Sequence, residues 1–387
     1  MTKLDELIQE LCPNGVEYKN LYEASNMQRG TSLTKAKAID GDIPVISGGK
    51  EPAFYCNSSN RDGETITIAG SGAGAGYVQY WNTPIFANDC FTVQGTEFTE
   101  TKYLYYFLTN IQSKISDTKK GGGVPHVHIS DIESFKVPVP PLPVQREIVR
   151  ILDNFTELTA ELTAELTARK KQYEFYRDKL LDKPHSSTKI ITIGELGSWS
   201  GGKTPSMDNS DYWEDGTMPW ITSKDMKVST LEDTEDHITT KAIKEASMTV
   251  YPSNGIAVVT RSGILKHTLP VAYVPFETTV NQDIKMLTVR ADILPRYAFH
   301  AIQGKSKDIL AKTKKQGGTV DSLEFKKFLD YKIPLPSLEV QQRLVEVLDN
   351  FDAICTDLSS GLPAEIEARQ KQYEYYRDKL LTFTPAD

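Results

Sequence analysis

The sequence predicts an α+β protein built twice, with two β-rich globular units joined and spaced by two long helical segments. Three observations predict it. Residues 171–181 read KQYEFYRDKLL and residues 371–381 read KQYEYYRDKLL, differing only at Phe175 versus Tyr375. Upstream, VPVPPLPVQREIVRILDNF (137–155) parallels IPLPSLEVQQRLVEVLDNF (333–351). Outside these copies the texture changes to short β-prone runs separated by Gly, Ser, Thr and Asn, which is how strands and turns read.

Taken in order, Leu4, Leu7, Ile8 and Leu11 recur at helical spacing and predict an amphipathic helix over residues 3–12, stopped by Pro13-Asn14-Gly15. IPVIS (43–47), TITIAG (65–70), YVQYW (77–81) and CFTV (90–93) predict strands, and 101–115 a helix. The first long helix is expected from about Val144 to Leu181, with Pro143 in its first turn, where a missing N–H is harmless. Ile148, Phe155, Leu162 and Tyr176 fall on one heptad position, and Leu152, Leu166, Tyr173 and Leu180 on the other, with Thr159 and Arg169 as interruptions. That 3/4 alternation indicates a coiled-coil seam, and at ~1.5 Å per residue the helix would be roughly 57 Å long. Three tandem E-L-T-A units, starting at Glu157, Glu161 and Glu165, lie within it.

The second half repeats the plan. KIITI (189–193), MPWITS (218–223), GIAVVT (255–260), VAYV (271–274) and IKMLTV (284–289) predict strands, 295–311 a helix, and 337–381 a second long helical region. Leu344, Leu348, Phe351, Tyr373, Tyr376 and Leu380 occupy its apolar positions. The copies are not equal. Phe155 to Lys171 is 16 residues and Phe351 to Lys371 is 20, and Ser359-Ser360-Gly361-Leu362-Pro363 should break the second helix. The expected boundaries are 1–143 and 185–336 for the globular units, with 144–184 and 337–387 (break near 359–363) for the helices. Two units duplicated head to tail invite a pseudo-twofold axis, under which the two helices run antiparallel.

Composition narrows the class. The chain of 387 residues is 39% hydrophobic, with no apolar run near the ~18 residues of a membrane span. Its opening, MTKLDELIQELCPNG, does not read as a signal peptide. Cys12, Cys56, Cys90 and Cys355 are scattered without a CxxC pair, which points to a reducing compartment. The net charge of −8 counts mildly against nucleic-acid binding, although phosphate contacts depend on local clustering.

The chemistry-shaped motifs fail on context. Gly197 to Thr204 matches G-x-x-x-x-G-K-[ST], but Pro205 and a polar run follow where a phosphate loop needs a helix. GSGAGAG (70–76) precedes a strand-like run and reads as a turn or close backbone approach. His126 and His128 have no further ligands nearby, and Glu324-Phe-Lys326 lacks the upstream acidic strand of a nuclease. What remains is a set of basic, glycine-bearing loops in both halves. In the first they offer Arg29, Thr31, Lys35, Lys50, Lys119, Lys120, Gly121 and Gly122. In the second they offer Lys203, Thr204, Lys224, Arg261, Lys266, Gln282, Lys314, Lys315, Gln316 and Gly317. Lys and Arg neutralise phosphates, while Arg and Gln can pair bidentately with base edges.

With PPLPVQREIVRILD (140–153), PLPSLEVQQRLVEVLD (334–349), LDELIQELCPNGVEYKNL (4–21) and RQKQYEYYRDKLL (369–381) in this order, nearly the whole chain resembles the specificity subunit of a type I restriction–modification enzyme. The resemblance implies two target recognition domains, each reading half of an asymmetric bipartite site on double-stranded DNA. It implies an antiparallel coiled coil that spaces them and docks two modification subunits, with the apolar helix residues named above as candidates. Restriction subunits, two in the full complex, would join later. S-adenosylmethionine would belong to the modification partner, and ATP and magnesium to the restriction partner. This chain would be non-catalytic, hold no cofactor or metal, and work in a prokaryotic cytoplasm. Two other classes are distinguishable: a nucleotide-dependent nuclease using Gly197–Thr204 and Glu324–Lys326, and a scaffold whose helices dimerise without DNA.

Overall fold

The computed structural model describes residues 2–121, 123–182, 188–315, 320–356 and 361–386. The chain forms two compact units. One comprises everything up to Ala164 together with the segment from Glu365 on; the other is Glu165–Ala364.

The first unit is built on a four-stranded antiparallel sheet in the order Asn26–Arg29, Cys90–Gln94, Thr65–Ala69, Val78–Trp81. Beside it, Ile43–Ile46 pairs antiparallel with Phe54–Cys56 and parallel with Phe86–Ala87. A two-stranded ribbon, Tyr18–Asn20 with Lys136–Pro138, closes the unit. Thr65–Ala69 is buried along its whole length, which is why it reads as a run without polar alternation. Its threonines are not wasted there: Thr67 Oγ1 accepts from Trp81 Nε1 at 2.9 Å and Thr65 Oγ1 from Gln94 Nε2 at 3.0 Å.

The second unit repeats this plan element for element. Its four-stranded sheet runs Gly197–Gly201, Ile284–Val289, Gly255–Val259, Val271–Val274. Met218–Ile221 pairs antiparallel with His237–Ile238 and parallel with Thr279–Val280, and Lys189–Thr192 pairs with Lys332–Leu335. Its added mass includes a small core of Trp220, Ile238, Ala242 and Met248, sealed by Tyr212 and Trp213.

Several helices differ from expectation for local reasons. The first is Lys3–Leu11, one residue shorter than expected; Thr2 and Asp5 form a reciprocal cap at its start and Cys12 serves as its C-cap. The stretches 101–115 and 295–311 are each two helices. They break at Ile111 (Thr101–Asn110, then Gln112–Asp117) and at Lys305 (Pro295–Gly304, then Ser306–Thr313). The long helix spans Leu142–Asp182 with Pro143 in its first turn. The second helical region is Leu338–Thr356 and Leu362–Leu380, so the second helix starts one residue before Pro363; Ser359 and Ser360 lie outside the described residues.

Both units hold their helix by the same device. Gln145 is fully buried; its Oε1 accepts from Glu100 N (2.9 Å), and its Nε2 donates to Phe98 O (2.9 Å) and Pro140 O (2.7 Å). Gln341, also buried, accepts from Leu294 N and donates to Pro336 O, both at 2.9 Å. About two turns further on, Asp153 accepts from Lys102 (2.8 Å) and Tyr106 (2.5 Å), and Asp349 from Arg296 (2.5 Å) and His300 (2.7 Å). The repeated PxxxxQ…D pattern is therefore the signature of a helix fastened to its own domain.

Candidate nucleic-acid interface

In each unit the basic loops predicted from sequence are tied to one another at one end of the four-stranded sheet. After Asn26–Arg29 the chain crosses the mouth of the neighbouring strand: Gly30 N donates to Cys90 O (2.8 Å) and Thr31 N to Ala87 O (2.9 Å). Asn88 then fastens two loops at once, accepting from Leu33 N (2.8 Å) and donating to Ser47 Oγ (2.9 Å). The Gly-rich turn joins them through Gly70 N to Asp89 O (3.2 Å) and Gly72 N to Pro125 O (3.0 Å). The glycines are required by distance. A Cβ on Gly30 would stand 2.3 Å from Asn88 O, and one on Gly202 only 1.7 Å from Val280 O.

The second unit uses the same ties: Lys203 N to Val280 O (3.0 Å), Asn281 N to Ile221 O (3.0 Å), Thr260 N to Asp283 O (2.8 Å) and Leu323 N to Thr260 O (2.9 Å). One residue is inserted there, Gln282, and it accepts from Thr204 Oγ1 at 2.6 Å. Backbone geometry is thus held constant while exposed side chains change, an arrangement suited to a reading surface.

Arg29, Lys35, Lys119, Lys203, Lys224, Lys266 and Lys315 are exposed and, among the described residues, make no ion pair. Thr31 and Thr204 are exposed on the same crossing segments, and Lys50 is exposed with its ammonium 5.3 Å from the Tyr77 ring. Three basic candidates are already in ion pairs: Lys120 with Asp131, Arg261 with Asp283 (2.6 Å), and half-buried Lys314 with Asp321 (3.0 Å). Gly121 adopts a left-handed conformation (φ 106°). Gly122, Gln316 and Gly317 lie outside the described residues. Sequence reasoning missed Lys307 and His267, which with Lys266, Lys314 and Lys315 line a cleft of about 580 Å³ in the second unit. The signal was there for Lys307, since it lies three residues before Leu310 on the helix that leads into Lys314.

The rejected motifs have structural explanations. Gly197–Gly201 is a strand paired with Ile284–Val289, and no helix starts at Lys203. Glu324 stands just before the short helix Phe325–Leu329 and its side chain pairs with Lys327 (2.8 Å). The imidazoles of His126 and His128 stack on each other at 6.2 Å. Among the described residues no three His, Cys, Asp or Glu side chains are grouped to hold a metal.

The helix candidates divide by burial. Ile148 and Leu152 pack inside the first unit beside Tyr103, Tyr106, Val144 and Leu381, and Leu344 and Leu348 inside the second beside Tyr173 and Leu181. These four are sealed within their own units, so they fasten the helix rather than offer a docking face. Half-buried Tyr373, Leu380 and Leu180 pack at the edges of the same cores, and Leu162 is half-buried on the helix. The motif aromatics meet in a matched way: Phe155 stacks on Tyr376 at 5.5 Å in the first unit, and Tyr176 lies tilted against Phe351 at 6.4 Å in the second. Phe175 and Tyr375, which sequence reading passed over, are more than 60% exposed and lie edge-on to Tyr176 and Tyr376.

Burial sets the ionisation of the second anchor. It pushes the pKa of His300 below its ordinary value, so the imidazole is neutral, donating from Nε2 to Asp349 and leaving Nδ1 to accept from Tyr173 Oη at 3.3 Å. Burial alone would raise Asp349, but hydrogen bonds from His300 and Arg296 outweigh it and hold its pKa low.

Comparison with known proteins decides the family. The model of the type I restriction modification DNA specificity domain matches residues 13–169 and again 186–368. The chain belongs to this family. It is 45% identical over 292 residues to the type I restriction enzyme EcoR124I/EcoR124II specificity subunit of Escherichia coli, covering 74% of this chain and 71% of that one. A Haemophilus influenzae protein assigned as type I restriction enzyme specificity subunit S.HindORF215P is 30% identical across 95% of this chain and 96% of its own. The fold is that of the type I S subunit from M. genitalium (TM-score 0.57, 18% identity, 95% of each chain). It also matches a chain from a study of complex assembly and conformational transition of the type I R-M system (TM-score 0.62, 18% identity, 95% and 98% covered). The relatives are specificity subunits, the non-catalytic members of these enzymes, and DNA binding follows from the family. No helix among the described residues is long and apolar enough to cross a membrane.

Proposed function

We propose that each unit reads one half of an asymmetric bipartite DNA sequence. On this reading the two helical copies lie antiparallel, set the spacing between the half-sites, and dock two modification subunits. The observation that carries it is the loop cluster described above, tied by the same backbone hydrogen bonds in both units but presenting different side chains in each. The matched ring contacts Phe155–Tyr376 and Tyr176–Phe351 support the paired-helix arrangement, because equivalent residues exchange roles between them. The exposed Phe175 and Tyr375 suit partner contact, since large aromatics with one open face are typical interface anchors.

S-adenosylmethionine then sits on the modification subunits, and ATP and magnesium on two restriction subunits that join through them, all in the cytoplasm of a prokaryote. The net charge of −8 fits a protein that contacts few phosphates itself and relies on its partners for further basic surface. Charge reversal tests the surface. Lys203→Glu and Lys224→Glu in the assembled complex should weaken binding to all sequences and lower the salt slope by about 1 per lost phosphate contact. Unchanged affinity and slope would remove these loops from the interface. Tight, steeply salt-dependent DNA binding by the chain alone would contradict the reliance on partners.

A further inference from the structure

The two reading surfaces differ most sharply at one place. In the first unit, a cleft of about 360 Å³ is lined by Arg29, Asp89, Phe91, His126 and His128. Arg29 ends the strand Asn26–Arg29. Its backbone carbonyl is held by Arg61 Nη2 (3.0 Å), and Arg61 is itself fixed by Thr92 Oγ1 (2.8 Å) and Asn60 O (2.7 Å). The Arg29 backbone is thereby pinned, while its guanidinium is exposed and has no ion-pair partner among the described residues. Asp89 accepts from Ser71 Oγ through one carboxylate oxygen; the other has no hydrogen-bond partner among the described residues, and no cation pairs with it. Phe91 is buried at the base, and the near-parallel His126 and His128 rings (interplanar 6°) form a wall.

The equivalent place in the second unit carries different groups. The register is fixed by matching bridges, Ser71 with His126 and Arg261 with Ser322. Asp283 stands where Asp89 does, but Arg261 pairs with it at 2.6 Å and already neutralises its charge. Gly201, opposite Lys285, stands where Arg29 stands opposite Phe91. The Lys285 ammonium is turned onto the Phe325 ring at 5.5 Å. Ser322 and Glu324 replace the two histidines.

An exposed guanidinium on a pinned backbone and a carboxylate with one unbonded oxygen line one cleft, presenting a bidentate donor and an acceptor. In the major groove a G·C pair presents the complement, with guanine O6 and N7 as acceptors and the cytosine N4 amino group as donor. We propose that this cleft reads a G·C pair in the half-site of the first unit, Arg29 donating to guanine and Asp89 accepting from cytosine, and that the second unit has no counterpart. The inference rests on the bipartite-reading proposal above. A phosphate contact by Arg29 would instead carry no sequence information.

The test is methylation mapping with the full chain assembled with its modification subunit, as wild type, Arg29→Lys, Arg29→Ala and Asp89→Asn. Arg29→Lys keeps the charge and loses the planar fork, so methylation should persist while the preference for G·C at one position falls about 5- to 150-fold, the range for a bidentate base contact. Arg29→Ala and Asp89→Asn should relax the same base pair, with the other half-site unchanged. A wild-type first half-site without a G·C requirement overturns the proposal. So does an Arg29→Lys map identical to wild type, or uniformly weaker methylation at an unaltered sequence in Arg29→Ala; in those cases bipartite reading itself survives. A wild-type complex that methylates no defined bipartite sequence takes down both.

Discussion

Replacing Gln145 by Ala should loosen the first unit more than the matching change at Gln341 loosens the second. Gln145 is fully buried and makes three side-chain hydrogen bonds, at 2.7–2.9 Å, to Glu100 N, Phe98 O and Pro140 O. Each bond contributes about 1 kcal/mol net, and a buried group left without a partner costs about 1–3 kcal/mol. Glu100 and Phe98 are only half-buried, so water recovers part of their loss. The sum is about 3–4 kcal/mol, a large fraction of the ~5–15 kcal/mol that holds a domain. Gln341 makes two such bonds, giving about 2–3 kcal/mol by the same reckoning. Urea unfolding followed by hydrogen-exchange mass spectrometry reads the two units separately. Peptides covering 98–110 and 140–152 should lose protection in Gln145→Ala while 255–259 and 284–289 keep theirs. A loss under about 1 kcal/mol, or an equal loss in both units, would refute the reasoning, because each glutamine would then not be a local fastening.

Three further outcomes are expected. Deleting Glu157–Ala160 removes one E-L-T-A unit, ~6 Å of helix, and should shorten the spacer in the methylated sequence while leaving both half-sites intact; an altered half-site with the same spacer would sink the ruler reading. The folded pKa of His300 lies below its unfolded value near 6.5, so the unfolded chain takes up that proton first. The resulting stability is present above about pH 6.5 and is lost as pH falls towards the folded value. Urea midpoints should therefore drop from pH 7.5 to 5.5 more in the second unit than in the first, where neutral Tyr106 holds the matching place, and His300→Gln should flatten that difference. A double-mutant cycle on Phe155 and Tyr376, stacked at 5.5 Å, should give a coupling of about 0.5–1.5 kcal/mol; zero coupling would mean that the ring contact adds nothing.

The repeated plan was legible because duplication left identical strings at the helix ends and similar strings at their starts. Those strings persist for a reason the structure supplies: Gln145, Gln341, Asp153 and Asp349 each fasten a helix to its own domain through several groups at once. The heptad reading of the helices was right about which positions are apolar and blind to what they meet. Ile148 and Leu344 face a globular core, whereas Phe155 meets a ring on another helix, and periodicity alone does not distinguish the two. The loop candidates were found by residue type, which cannot see pairing. Arg261 and Lys314 look as available in sequence as Arg29 and Lys315, yet their partners Asp283 and Asp321 come from other segments. The break at Ile111 had no Gly or Pro to announce it, whereas Gly304 stands immediately before the break at Lys305.

On the proposed reading, two fixed frames with different side chains read two different half-sites. Single-molecule methylation mapping of DNA from cells expressing this chain with its modification partner tests it most directly. The expected result is one asymmetric sequence in two parts, separated by a spacer of fixed length and indifferent composition, with methylation in each part. A continuous motif, a palindromic one, or methylation without sequence preference would contradict it.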